Sequence, residues 1–384
     1  MTSLLIFYIL AAYDSNSAFA FNFGAAGDWG CNSNTQKTLD NLRGKSSPER
    51  ILALGDYSYV STATCWLNII NPVKSITKIT IGNHEDDLNE GLNQYKSAFG
   101  LSDDTFYAFT YSNARIIVMD SDNRCFTSGC EQFGFVLGQL QQASQDPNIK
   151  WIIVYIHKQF YTSPNTCGSS SCSNTASDTT NLRNTYQKYF DQYGVDVVLN
   201  GHVHNYQRTY PLKYDSASPS SPIITSTVSN DYTDPAGEIF VTVGTGGVGF
   251  HGLSGKASFV KFQQDDRFGG LDLSIENNGY TLVGRYYTND GVKRDTFKIF
   301  KSGPLQAQYN FGPSLSLSGK EASSTLSGED ASVGVPGGNI DDKNDQGNGK
   351  PLGQDNEQGQ DNGQGKGLNC EHFKQQGPVR CRTS

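Results

Sequence analysis

No block of basic residues occurs in this 384-residue chain, whose formal net charge is −8. That argues against a nucleic acid or an anionic membrane surface as the main partner, since either selects a clustered positive face. No stable membrane span is expected either: the apolar run Leu4 to Ala12 is too short to cross a bilayer as a helix. The eight cysteines include no C-x2-C pair, so a zinc ribbon is not their purpose. Aromatic residues are missing from Gly312 to His372, where Gly, Gln, Asn and Asp dominate. Such a stretch cannot bury enough apolar surface to offset its ordering entropy.

What is present gives a first division of the chain. Residues 1–20 read as a signal peptide: a short apolar run, then Ala18-Phe19-Ala20 in the small-x-small form of a cleavage site, although the usual basic n-region is absent. The alternative is a buried N-terminal strand. Cys125/Cys130 and Cys167/Cys172 are two C-x4-C pairs, Cys370/Cys381 is a third local pair, and Cys31 and Cys65 could bridge neighbouring loops. An even count in closable pairs fits disulfides in an oxidising, extracytoplasmic compartment, with free thiols the alternative if the leader reading fails. Residues 21–302 form the folded domain. Residues 303–384 read as a largely disordered tail with room for a small disulfide loop, and surface tethering is the one role its composition suggests.

Within 21–302, short β-rich runs recur: FNFGAA (21–26), RILAL (50–54), KITI (78–81), ARIIVMD (114–120), KWIIVYI (150–156), VDVVL (195–199) and EIFVTV (238–243). Several are almost continuously apolar, which suits strands covered on both faces. Helical patterns lie between them at 131–146 and 179–194, so the fold class is α/β. Residues 269–300 read as three strands joined by Asn-Gly and Asp-Gly turns, an antiparallel finish.

Five polar clusters begin where an apolar run stops. GDWG (27–30) follows FNFGAA, GDYSY (55–59) follows RILAL, GNHE (82–85) follows KITI, His157 ends KWIIVYI, and GHVH (201–204) follows VDVVLN. Taken singly each has an ordinary explanation, a turn after a strand or a hydrogen-bonded histidine. Taken together they place Asp28, Asp56, Asn83, His157, His202 and His204 at strand ends, and ligands of an α/β sheet bind at the carboxyl ends of its strands. His202 and His204, one residue apart, point the same way if the backbone there is extended. Oxygen and imidazole donors without a thiolate suit Fe, Zn or Mn. Counting Tyr59, seven donors exceed the needs of one catalytic zinc and suit two ions sharing a carboxylate.

The motifs GDWG, GDYSY, GNHE, VYIH and GHVH resemble those of the calcineurin-like metallophosphoesterases, and two details resemble the purple acid phosphatases among them. Gly30 stands where most of that superfamily has a metal-binding His, and Tyr59 stands where the purple enzymes have their iron-binding tyrosine. HKQFYTS and GHVHNYQR are similar to further motifs of that family; the likeness covers about residues 21 to 300 and not the tail. The resemblance implies a four-layer αββα sandwich of two mixed sheets flanked by helices. It implies Fe(III) held by Asp28, Tyr59 and His204, a divalent ion (Fe, Zn or Mn) held by Asn83, His157 and His202, and Asp56 between them. It also implies a secreted acid phosphatase that hydrolyses small phosphate monoesters in line, by activated hydroxide and without a phosphoenzyme.

His84, beside Asn83, is the candidate for contacting phosphate and protonating the leaving group; orienting ligands is the alternative. One departure stands out: residues 158–200 hold no histidine, where plant-type relatives usually place a second one facing substrate. Lys158 could supply charge there. His251, in GTGGVGFHG, could edge the pocket and reads as a loop residue rather than a ligand. A phosphodiesterase or nucleotide hydrolase, and a non-catalytic cell-surface binding protein on the same fold, are the competing readings.

Overall fold

Alternation along the strands decides which way each side chain faces, and here it sorts the interior into two cores. In a computed structural model, residues 20–302 are described, apart from 87, 103, 122–126, 128 and 229. The expected leader, the tail 303–384 with Cys370/Cys381, and Cys125 of the Cys125/Cys130 pair lie outside the described residues.

The strands, in chain order, are β1 (Phe21–Ala26), β2 (Arg50–Ala53), β3 (Thr77–Ile79), β4 (Tyr107–Tyr111), β5 (Ala114–Val118), β6 (Trp151–Tyr155), β7 (Val197–Asn200), β8 (Tyr206–Thr209), β9 (Leu212–Lys213), β10 (Ile223–Ile224), β11 (Asp231–Thr233), β12 (Ile239–Val243), β13 (Val260–Gln264), β14 (Gly269–Glu276), β15 (Thr281–Thr288) and β16 (Lys293–Phe300). One sheet has the order β11-β16-β15-β14-β1-β2-β3, the other β13-β8-β12-β7-β6-β5-β4, and β9 pairs with β10 apart from them. Both sheets are mixed. Parallel β1-β2-β3 join antiparallel β14-β15-β16, and parallel β12-β7-β6-β5 carry antiparallel neighbours at each side.

The near-continuous apolar runs are strands covered on both faces, as their composition requires. Ile116, Ile153, Tyr155, Val197, Leu199 and Val241 pack in one core with Phe23, Leu52 and Leu271 of the facing sheet. Their neighbours Ile117, Ile152, Val154, Val198 and Phe240 turn to a second core. There they meet Phe133, Val136 and Leu140 of the helix Glu131–Gln145 and Phe190 of a later helix (Lys188–Tyr193). On the far side, α1 (Ser33–Ser46) packs on β1 and β14, with Leu42 against Gly24 and Gly270. Helix, sheet, sheet, helix is the resulting layer order.

The three-strand finish at 269–300 forms as its turns predict: Asn277, Asn278 and Gly279 all take positive φ between β14 and β15. Boundaries shift elsewhere. The strand expected over KITI runs instead over Thr77–Ile79, and Thr80 N adds a last rung to Ala53 O as the chain turns into the GNHE loop. The helix α1 escapes sequence reasoning, since SNTQKTLDNLRGKS carries only two leucines; its start is set by the Asn32 side chain, which accepts from the Asn34 and Thr35 amides.

Two residues of the GHVHNYQR stretch tie the sheets together. Arg208 on β8 donates to both oxygens of Asp295 on β16 (2.6 and 2.8 Å), and the Tyr206 hydroxyl donates to the same carboxylate at 2.9 Å. All three are buried, so losing either Arg208 or Asp295 would strand a charge and cost about 3–5 kcal/mol. Disulfides join Cys31 to Cys65, and Cys167 to Cys172.

Candidate metal centre

β1, β2 and β3 run parallel in one sheet, and β6, β7 and β12 run parallel in the other, so six carboxyl ends feed loops to one edge. Backbone bonds close that edge across the sheets: Gly27 N donates to Val243 O (2.9 Å), and Gly246 N donates to Gly27 O (2.8 Å). All seven predicted donors lie on these loops.

They fall into two groups that share Asp56. In the first, the Tyr59 hydroxyl is 3.2 Å from Asp28 Oδ1 and 3.0 Å from His204 Nε2, while His204 Nε2 is 3.3 Å from Asp28 Oδ1. In the second, His157 Nε2 is 3.2 Å from Asn83 Oδ1 and 3.3 Å from His202 Nδ1. Asp56 Oδ2 reaches both, 3.2 Å from the Tyr59 hydroxyl and 3.3 Å from His157 Nε2.

Local backbone strain accompanies this arrangement. Asp28, Asp56, Tyr59 and His202 all have positive φ, between 53° and 66°. Tyrosine and histidine reach that region at a cost, which persists only where the surroundings enforce it. For His202 this overturns the expectation of extended backbone through GHVH. The chain bends after β7, so the two imidazoles do not run parallel: His202 faces His157, and His204 faces Asp28 and Tyr59. Two glycines are obligatory here. A Cβ on Gly201 would stand 2.7 Å from Asp28 Oδ2, and one on Gly82 would collide with the Asp56 side chain.

The chemistry of the donors fits cations. His157 Nδ1 donates to Leu54 O at 2.7 Å, and His204 Nδ1 donates to Gly249 O at 2.8 Å. With Nδ1 so engaged, each ring turns Nε2 inward, toward the oxygens of Asn83 and Asp56 or of Asp28 and Tyr59. Burial would raise the Asp56 carboxyl, but His157, His84 and His202 outweigh it and hold it below the usual range. Burial pushes the Tyr59 phenol well up, and the Asp56 and Asp28 carboxylates add to it. Its phenolate becomes favourable only with positive charge among these oxygens. Burial, then His157, drives His202 well below the ordinary imidazole value. His204 is raised instead: burial opposes its charge, but its hydrogen bond to Asp28 and the charge of that carboxylate prevail.

His84 stands at the rim. Its side chain is 23% exposed, against 0% for His157 and 11% for His204, so it is the most open of these three to a ligand. Its Nδ1 bonds Glu90 Oε2 at 2.8 Å, and its Nε2 lies 4.0 Å from Asp56 Oδ2. Lys158 is buried and paired with Asp178 at 3.0 Å, so its charge is largely offset.

Two residues near the site, Glu85 and Ser171, had no role in the sequence reading, and a third, His251, was expected only to edge the pocket. Glu85, the last letter of GNHE, is fully buried and accepts from the amides of Asp56 (2.9 Å), Tyr57 (2.8 Å) and Gly82 (3.1 Å). Burial and neighbouring Asp56 hold its carboxyl well above the usual range. His251, expected as a loop residue, does lie in the loop after β12, yet it stacks on His204. Ser171 lies 3.1 Å from His202 Nε2. Only Glu85 left a signal, as a charged residue inside a motif.

Residues 21–206 match the family model described as calcineurin-like phosphoesterase. Over those residues the chain is similar to the calcineurin-like phosphoesterases. The phosphoenolpyruvate phosphatase of Allium cepa is 28% identical over 253 residues, covering 59% of this chain and 49% of that protein. The protein of Arabidopsis thaliana named Fe(3+)-Zn(2+) purple acid phosphatase 12 is 26% identical over 254 residues, 59% of this chain and 50% of that one. The purple acid phosphatase from yellow lupin (Lupinus luteus) seeds shares the fold, with a TM-score of 0.62 at 22% identity over 73% of this chain and 54% of that one. The chain spans between 34% and 60% of the length of the curated relatives it matches. It is thus similar to purple acid phosphatases. No helix among the described residues is long and apolar enough to cross a membrane.

Proposed function

We propose that this phosphoesterase is a secreted acid phosphatase of the purple type, acting on small phosphate monoesters. The single observation that carries the reading is the Tyr59 hydroxyl, 3.0–3.2 Å from Asp28, Asp56 and His204. A phenolate beside two carboxylates makes a hard, negative site suited to a trivalent ion. In this reading Asp28, Tyr59 and His204 hold Fe(III), Asn83, His157 and His202 hold a divalent ion, and Asp56 serves both. The Fe(3+)-Zn(2+) in the name of the Arabidopsis relative supports zinc as the divalent ion, and the Allium relative's name supports a monoester substrate. The two disulfides support an oxidising compartment.

The ion pair, when bound, supplies Lewis acidity and water activated at low pH. The chain does the rest. Two carboxylates and one phenolate offset only part of the charge of Fe(III) and a divalent ion, which leaves the site attractive to a phosphate dianion. Asn83 contributes an amide oxygen without adding charge that would repel phosphate. His84 presents Nε2 at the open rim and gives its proton to the leaving oxygen, while Glu90 holds the opposite ring nitrogen.

Purified protein should contain iron and a second metal and show a visible tyrosinate-to-iron absorption band that disappears in Tyr59→Phe. Oxidised, metal-replete protein without that band sinks the ferric assignment. Faster cleavage of a bis-nitrophenyl diester than of a nitrophenyl monoester would instead favour a phosphodiesterase.

A further inference from the structure

Two loops behind the GHVH turn grip its imidazoles separately. The first is the Cys167–Cys172 loop. Ser171 Oγ lies 3.1 Å from His202 Nε2, the ring nitrogen turned away from the cluster. With the Nδ1 lone pair facing inward, Nε2 carries the hydrogen and donates to that hydroxyl. Ser171 is itself fixed: it sits in a 3-10 turn (Ser170–Cys172), its amide donates to Ser169 Oγ at 3.2 Å, and its carbonyl accepts from buried Gln159 at 2.9 Å.

The second loop, after β12, holds His204. Gly249 O takes the Nδ1 hydrogen, and the His251 ring lies parallel to the His204 ring, 3.8 Å away at 9°. The two residues bond in both directions: the His204 amide donates to the His251 side chain at Nδ1, and the His251 amide donates to His204 O, each at 3.0 Å. The loops are joined to each other by Thr166 N donating to Gly252 O at 2.8 Å and by a bridge between Asn165 and Leu253.

We propose that Ser171 and His251 are positioning residues, one for each ion: Ser171 sets the tautomer and plane of His202, and His251 sets the plane of His204. The inference rests on the ion assignment above. Groups behind a ligand's outer nitrogen fix its direction and basicity, and their loss typically weakens metal binding 10–100-fold. Because each contact reaches a different imidazole, the two effects separate.

The test is metal binding, not turnover. Zinc affinity is measured by chelator competition, and the iron site by its visible band and its rate of iron loss, in wild type, Ser171→Ala and His251→Ala. Ser171→Ala is expected to weaken zinc about 10–100-fold with the band unmoved. His251→Ala is expected to shift the band and speed iron loss, with zinc affinity within about threefold of wild type. Ser171→Thr, which keeps the hydroxyl, and His251→Asn, which keeps an acceptor for the His204 amide, should each recover most of the loss. Variants that weaken both ions equally, that change neither, or that are not rescued overturn the inference. A wild type that takes up both ions while the variants fail to separate them overturns this inference alone; a wild type that takes up neither overturns the ion assignment on which it rests.

Discussion

Replacing Glu85 by alanine removes the acceptor of three buried amides, those of Asp56, Tyr57 and Gly82. A buried donor left without a partner costs about 1–3 kcal/mol, so three amount to roughly 3–9 kcal/mol. Part is returned, because burial and the Asp56 charge already disfavour the Glu85 carboxylate. The net loss expected is therefore near the lower end, about 3–5 kcal/mol, a large share of the 5–15 kcal/mol that holds a domain together. Glu85→Gln is the finer probe. Its amide oxygen can take the place that serves Asp56 and Gly82, which leaves the Tyr57 amide facing an NH2 group and costs about 1–3 kcal/mol. For a domain of this size that is a fall of roughly 2–12 °C in melting temperature. Thermal and urea unfolding of the three proteins measure it, with metal content as a second readout, since two of the amides flank predicted ligands. An alanine variant that melts within about 2 °C of wild type refutes the reasoning, because three buried donors cannot be so cheaply orphaned.

Two further outcomes are expected. His84→Ala should lose about 10²–10⁴-fold in kcat while retaining both metals, and unchanged turnover would remove His84 from the reaction. Glu238 offers a test by pH: burial, with Asp191 beside it, holds its carboxyl well above the ordinary value of 4.5. The native state then keeps a proton that the unfolded chain has released, so stability falls as pH rises above that value. Glu238→Gln should narrow the drop in melting temperature between about pH 5 and about pH 8; curves that stay parallel would show that this group does not titrate in the fold.

Six of the seven candidate donors stand where apolar runs end, as ligands of a parallel sheet do, while the iron-binding role of Tyr59 came from the resemblance. The unbroken apolar runs IIVYI and VVL likewise reveal strands covered on both faces. Glu85 was invisible as a structural acceptor because its partners are backbone amides, which leave no mark in side-chain patterns. Ser171 was hidden among five serines in a loop, and His251 lies 47 residues from the ring it stacks on.

Residue types and their spacing along the chain determined the α/β class, the antiparallel finish at 269–300 and the inventory of oxygen and nitrogen donors. The grouping of those donors was decided by folding. Positive φ at Asp28, Asp56 and His202 goes with bonds from other strand-end loops, Asp28 N to Gly55 O, Asp56 N to Glu85 Oε2 and His202 N to Asp28 Oδ2. Contacts between segments far apart in sequence enforce those conformations, and local propensity alone would avoid them.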